Sequence, residues 1–195
     1  MINIVLFGAP GAGKGTQAGK LSEKYGLNHI STGDIIRAEI RDATQLGQTV
    51  RDAIERGELA PDRVVIEIIE GYVQSHRAAR GNIFDGFPRT TQQAEAFDGI
   101  LAAHGMRIDA MLELTVPEDE LVRRIVLRGA ESGRADDADR TVIRNRIEVY
   151  NTRTAVVAGY YRAQGKYTAI DGSVGMDAVF AALCAEVESL ISNGR

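Results

Sequence analysis

Cysteine is nearly absent: Cys184 stands alone in the chain, which excludes an intrachain disulfide and a cysteine zinc cage. No apolar run approaches the ~18 residues that a membrane-spanning helix needs. Positive charge is not in surplus either. Lys and Arg number 23 against 27 Asp and Glu, a formal net charge of −4, so a generally basic nucleic-acid binder is excluded. Repeats, low-complexity tracts and Pro/Ser-rich linkers are missing. Lysine itself is scarce, with Lys14, Lys20, Lys24 and Lys166 set against 19 arginines. Either base composition favours Arg codons, or planar guanidinium forks are being used on carboxylates and phosphates. What is present, 195 residues with 44% hydrophobic side chains, suffices for a one-domain core without staples. Met1-Ile2-Asn3 runs directly into an apolar stretch with no basic leader, so a soluble cytoplasmic protein is expected.

Short apolar runs alternate with stretches of helical period. Candidate strands are Ile2–Phe7, Asn28–Ile30, Asn82–Asp85, Ala110–Val116 and Tyr167–Ile170. Val64, Val65, Ile68, Ile69, Tyr72 and Val73 recur at the spacing of one helix face, as do Val179, Phe180, Leu183, Cys184, Val187, Leu190 and Ile191. This alternation predicts an α/β domain whose parallel sheet is covered by helices on both faces. Residues 31–60 are helical in pattern without a strand, and residues 129–139 are polar. Both read as insertions over the edge where the strands end, with residues 1–30, 61–128 and 140–195 forming the core. Ligands of open α/β sheets bind at that edge. Cys184 falls on an apolar helix face and reads as core.

The strongest chemical signal is Gly8-Ala-Pro-Gly-Ala-Gly-Lys-Gly-Thr16, between a buried strand and a helix starting near Lys14. Glycines let backbone N–H groups close on phosphate oxygens, the helix N-terminus adds positive potential, and Lys14 reaches the outer phosphates. Gly15 displaces the hydroxyl that usually follows the lysine to position 16. Magnesium is therefore expected to be held by nucleotide phosphates and waters rather than by the loop.

A second group suggests a second anion. Ser31-Thr32-Gly33-Asp34-Ile35-Ile36-Arg37 follows the second strand, where Ser31 or Thr32 could equally be a helix cap. Asp85-Gly86-Phe87-Pro88-Arg89-Thr90 follows the third, with Asp85 placed to order metal-bound water and Arg89 projecting from a stiff turn. Arg123, Arg124, Arg128, Arg134, Arg140, Arg144 and Arg146 flank the polar insertion. Arg124 and Arg128 share a helix face, whereas Arg144 and Arg146 cannot. Asp136 and Asp137 either pair with arginines and hold a hinged flap or merely solubilise a loop. His29, His76 and His104 sit in no motif and read as structural. No nucleophile or general base is evident, which suits phosphoryl transfer, where positioning and charge stabilisation dominate.

These motifs together, GAPGAGKGT (8–16), STGDIIR (31–37), DGFPRT (85–90) with Gln93, RRIVLRG (123–129) and SGRADD (132–137) followed by Arg144 and Arg146, resemble the adenylate kinase family in its short-lid form. The resemblance implies a P-loop nucleoside triphosphate hydrolase-like three-layer fold around a five-stranded parallel sheet. Residues 31–60 would be the monophosphate-binding insertion and 129–139 the lid. It implies reversible transfer of the ATP γ-phosphoryl group to AMP, giving two ADP, with Mg²⁺ and no zinc. The expected protein is a monomer whose partners are these nucleotides, without nucleic acid or membrane. By resemblance, Gly11, Ala12, Gly13, Lys14, Gly15 and Thr16 hold ATP phosphates, with Arg128 on the ATP side and the stretch to Val174 along its adenine. Thr32, Arg37, Arg89 and Gln93 bind AMP, helped by Glu58, Leu59, Ala60, Gly86, Phe87 and Pro88. Arg124, Arg134 and Arg146 join Lys14 and Arg89 around the transferring group, with Arg144 the alternative to Arg146. Rival readings are a UMP/CMP kinase, which usually has Ala in place of Thr32, a nucleotide-dependent switch protein, and a kinase of a small non-nucleotide metabolite.

Overall fold

Strand β1, Ile2–Phe7, sends its side chains alternately to two sides. Ile4 and Leu6 enter one buried cluster, Val5 and Phe7 the other. A strand with both faces apolar belongs in the middle of a covered parallel sheet, and β1 lies there. The computed structural model describes residues 1–75, 80–132 and 134–193; His76 lies outside them. β1 leads through a loop into α1 (Lys14–Tyr25), β2 (Asn28–Ser31), α2 (Thr32–Arg41), α3 (Gln45–Glu55) and α4 (Asp62–Ser75). Then come β3 (Gly81–Asp85), α5 (Thr91–Ala103), β4 (Ala110–Thr115) and α6 (Glu118–Ser132). A 3₁₀ turn (Ala135–Asp137), α7 (Arg140–Val149), a π-helical turn (Tyr150–Thr154), α8 (Val157–Ala163), β5 (Tyr167–Asp171) and α9 (Met176–Asn193) complete the chain.

The five strands are parallel in the order β2-β3-β1-β4-β5. Ile4 pairs with Ile83 on one side and Ala110 on the other. Leu21 of α1, Ile125 of α6 and Leu183 of α9 cover one face of the sheet, and Ile69 of α4, Phe97 of α5 and Tyr161 of α8 cover the other. This is the expected three-layer α/β architecture, with strand ends within a residue or so of those read from the sequence. Cys184 is buried in the first cluster. Among the described residues, no helix is long and apolar enough to cross a membrane.

Local chemistry sets the helix ends that matter for the site. Ser31 caps α2, its hydroxyl accepting the Asp34 N–H, and Thr44 caps α3 by accepting from Gly47. A Cβ at Gly47 would lie 2.1 Å from the Glu39 carbonyl oxygen, so glycine is what lets α3 cross α2 this closely. Thr90 caps α5 and Asp139 caps α7 in the same manner. Helix α6 runs through Ser132, so the first residues of the polar 129–139 segment are helical. The Ser132 hydroxyl bonds back to the Arg128 carbonyl at 2.7 Å, and buried Leu121 and Ile125 anchor the helix below.

Candidate functional site: a polyanion cleft at the strand ends

The carboxyl ends of β1 and β3 open into a cleft of about 890 Å³. Gly13 closes the loop after β1 with φ +94, the left-handed conformation glycine tolerates. It delivers the chain into α1 with the helix N-terminus facing the cleft. Gly11, Ala12, Gly15 and Thr16 line that wall. Lys14 folds back over the loop, its Nζ donating to the Gly8 and Ala9 carbonyls at 2.8 and 3.0 Å. Desolvation lowers its pKa to about 8; nearby Asp85 opposes this, and Arg89, Arg128 and Arg146 reinforce it.

Asp85 ends β3 with its side chain 11% exposed. Its Oδ2 would be 3.5 Å from a Cβ at Gly15, so the carboxylate abuts the phosphate loop. His29 of β2 approaches the same oxygen at 3.4 Å and lines the cleft, a location its sequence context did not signal. A single carboxylate beside the loop fits a hard divalent cation that keeps most of its shell as phosphate oxygens and water.

The second group of residues gathers on the far side of β3. Arg89 donates from Nε to the Gly86 carbonyl at 2.6 Å, and Thr32 donates its hydroxyl to that same oxygen at 2.9 Å. Ser31, not Thr32, serves as the helix cap. Desolvation brings Arg89 down to about 10, and the like charge of Arg146 contributes. Arg37, Glu58, Leu59, Gly86 and Pro88 line the main cleft. Thr32, Ala60 and Gln93 line a smaller cavity that continues from it. The Phe87 side chain is in the core, edge-on to Phe97 at 4.9 Å.

Carboxylates hold the arginines of the rim. Arg128 makes a two-pronged pair with Asp137 at 2.7 and 2.9 Å, and Arg146 reaches Asp137 at 2.6 Å and Asp136 at 3.0 Å. Arg134 bonds Asp34 at 3.2 Å across 100 residues of sequence, and Arg37 pairs with that same Asp34. Residues 129–139 thus touch residues 31–60 across the cleft. Burial pushes the Asp137 carboxyl up, but Arg128 and Arg146 outweigh it and hold the pKa below the usual value. Asp34 is likewise lowered, with Arg37 overcoming its burial. Arg124 pairs with Glu120 at 2.7 Å and donates to the Gly172 carbonyl at 3.1 Å. The Val174 side chain is exposed two residues beyond.

Of the two arginines near the end of α7, Arg146 lines both cavities, while Arg144 is exposed and lines neither. Asp34, Asp62 and Glu120 were invisible as functional partners in the sequence, because the cations and amides they hold are defined only by folding. Altogether Lys14 and seven arginines, Arg37, Arg89, Arg123, Arg124, Arg128, Arg134 and Arg146, line one cleft of an acidic chain, a potential suited to two polyphosphates.

Residues 6–166 match the family described as adenylate kinase. A protein of Phocaeicola vulgatus named adenylate kinase is 50% identical over 190 residues, covering 97% of this chain and all of the relative. A Bacteroides fragilis protein of the same name matches equally, 50% over 97% of this chain and all of its own length. One from Caulobacter sp. (strain K31) is 47% identical over 91% of this chain and 94% of its own.

Proposed function

The chain belongs to the adenylate kinase family, and from that membership we propose that its cleft reversibly transfers the γ-phosphoryl group of ATP to AMP, giving two ADP. The observation that carries this reading is the double arrangement: a phosphate loop with Lys14 on one side of Asp85 and a second cationic end at Arg37 and Arg89 on the other. A switch protein has no use for the second end.

Two polyanions must be brought within bonding distance while an oxygen of AMP attacks the γ-phosphorus in line. Lys14 and the Gly11–Thr16 backbone would hold the ATP phosphates. Arg37 and Arg89 would hold the AMP phosphate, with Thr32, the Glu58–Ala60 backbone and Gln93 along the nucleoside. Arg124 and Arg128 would face the ATP side, and Arg134 and Arg146 would meet the transferring group. Guanidinium groups suit that task because they stabilise developing negative charge without exchanging protons. Asp85 would order water on Mg²⁺, which when bound with ATP supplies charge neutralisation between phosphate oxygens. Residues 31–60 and 129–139 would act as the covers that exclude water, as the adenylate kinase lid does on closing. We read the protein as a cytoplasmic monomer acting on free nucleotides.

A panel assay of ADP formation from ATP with AMP, UMP or CMP tests the reading. AMP should be the best acceptor by at least an order of magnitude in kcat/KM. Faster turnover of UMP or CMP would contradict it and favour a UMP/CMP kinase.

A further inference from the structure

Asp62 opens α4 and lines neither cavity of the cleft, yet its carboxylate receives two hydrogen bonds from the start of α5. Thr90 donates its hydroxyl to Oδ2 at 2.9 Å, and Gln93 donates from Nε2 to Oδ1 at 2.7 Å. The Thr90 oxygen in turn accepts the Gln93 backbone N–H at 3.1 Å. At its other end, the Gln93 amide accepts the Arg89 backbone N–H through Oε1 at 2.7 Å. The side chain is held at both ends, and the residue is only 1% exposed.

A glutamine amide has two ends of nearly identical shape and opposite polarity. Here each end meets a partner of one polarity only: a carboxylate accepts, a backbone N–H donates. Turning the amide over would set its oxygen against the Asp62 carboxylate and its NH₂ against the Arg89 N–H. Two hydrogen bonds would become two repulsions, one of them against a full charge. In the pinned orientation the amide keeps one spare N–H on Nε2 and one spare lone pair on Oε1. It forms part of the small cavity's wall beside Ile36, Leu59, Ala60 and Val65, next to Arg37 and Arg89. A flat heterocycle attached to an anion held by those arginines meets this amide as its polar reader.

We propose that Asp62 is a positioning residue for base selection: by fixing which end of the Gln93 amide donates, it makes the cavity accept a 6-aminopurine and reject a 6-oxopurine. Adenine offers an acceptor at N1 beside a donor at its 6-amino group. Hypoxanthine offers the inverse, a donor at N1 and an acceptor at O6. An amide of fixed polarity suits one order, whereas an amide free to turn suits both. Sites that pair a substrate's polar edge discriminate strongly because the wrong edge leaves buried groups unpaired. The inference rests on the proposed AMP site.

The test compares the full-length protein with Asp62→Ala and Asp62→Asn, measuring kcat/KM for AMP and for IMP at saturating ATP. In the wild-type protein AMP should be preferred. Asp62→Ala should lower the AMP:IMP preference at least tenfold, by raising KM for AMP and improving IMP, with KM for ATP unchanged. Asp62→Asn, whose side-chain oxygen can still accept from Gln93, should restore most of the preference. Should alanine loosen the start of α4, Asp62→Leu repeats the measurement with the side-chain bulk retained. Equal losses for AMP and IMP, leaving their ratio at the wild-type value, would overturn the positioning role while the AMP reading stands. A wild-type protein that prefers IMP, UMP or CMP would overturn both.

Discussion

Lys14 and Arg89, on the floor of the cleft, are bonded to the backbone carbonyls of Gly8, Ala9 and Gly86. Arg128, Arg134 and Arg146, at its rim, are bonded to the carboxylates of Asp34, Asp136 and Asp137. A carbonyl positions a cation without neutralising it. The floor cations therefore keep their charge in a desolvated place, and both have lowered pKa values. A carboxylate neutralises its partner, so a phosphate reaching the rim must displace an existing ion pair. The floor is preorganised for charge development; the rim can exchange partners, which suits covers that open and close.

Breaking the floor should have the largest effect. Arg89→Ala is expected to lower kcat by about 10³-fold, the scale of losing a transition-state cation. Because Thr32 still donates to the Gly86 carbonyl, the melting temperature should shift by no more than a few degrees. Near-normal turnover would remove Arg89 from the machinery. Arg89→Lys should recover little, since a point charge does not replace the fork.

Altering the rim should change affinity more than chemistry. Asp137, whose side chain is fully buried, holds Arg128 and Arg146 together. Asp137→Asn should lower the thermal midpoint of the free protein by a few degrees and lower KM for ATP by about three- to tenfold, because phosphates no longer compete with a charged partner. Steady-state kinetics and thermal melts check both. A raised KM at unchanged stability would show that the carboxylate orients the arginines rather than competing for them.

The smallest effect is a protonic one. Lys14 titrates at about 8 in the folded protein against an ordinary 10.5, so between those values the folded chain holds fewer protons than the unfolded one. The Lys14 contribution to stability therefore rises with pH across that window. Phosphates beside Lys14 draw the proton back, so ATP binding should take up as much as one proton near pH 9 and almost none at pH 6. The affinity should fall by up to about tenfold per pH unit above 8. Calorimetry in buffers of different ionisation heat measures the uptake; equal values at the two pH conditions would contradict the desolvated lysine.

The floor is also the part that could be read from the sequence. The loop from Gly8 to Thr16 is contiguous, and the apolar run before it identifies its strand, so local pattern and final geometry coincide. The same holds for Asp85 and Arg89, which one turn carries together. The rim is built from pairs distant in sequence, as Asp34 and Arg134 show, and no periodicity links them. The choice between Arg144 and Arg146 needed the buried face of α7, which Ile143 and Ile147 define. Polar Gly129–Ser132 shows no apolar period of its own, yet it continues the helix that Leu121 and Ile125 anchor. Asp62 carried no signal, since its partners belong to another helix. His29 looked structural, and only the β2–β3 pairing brings it to Asp85.

The central claim is that the floor and rim cations face two polyphosphate sites across a single cleft. The most direct test is calorimetric titration with a bisubstrate molecule, two adenosines joined through five phosphates. One molecule should bind per chain, far more tightly than ATP or AMP alone, and its complex should take up neither nucleotide. Binding of two molecules per chain, or continued binding of AMP to the complex, would contradict the claim.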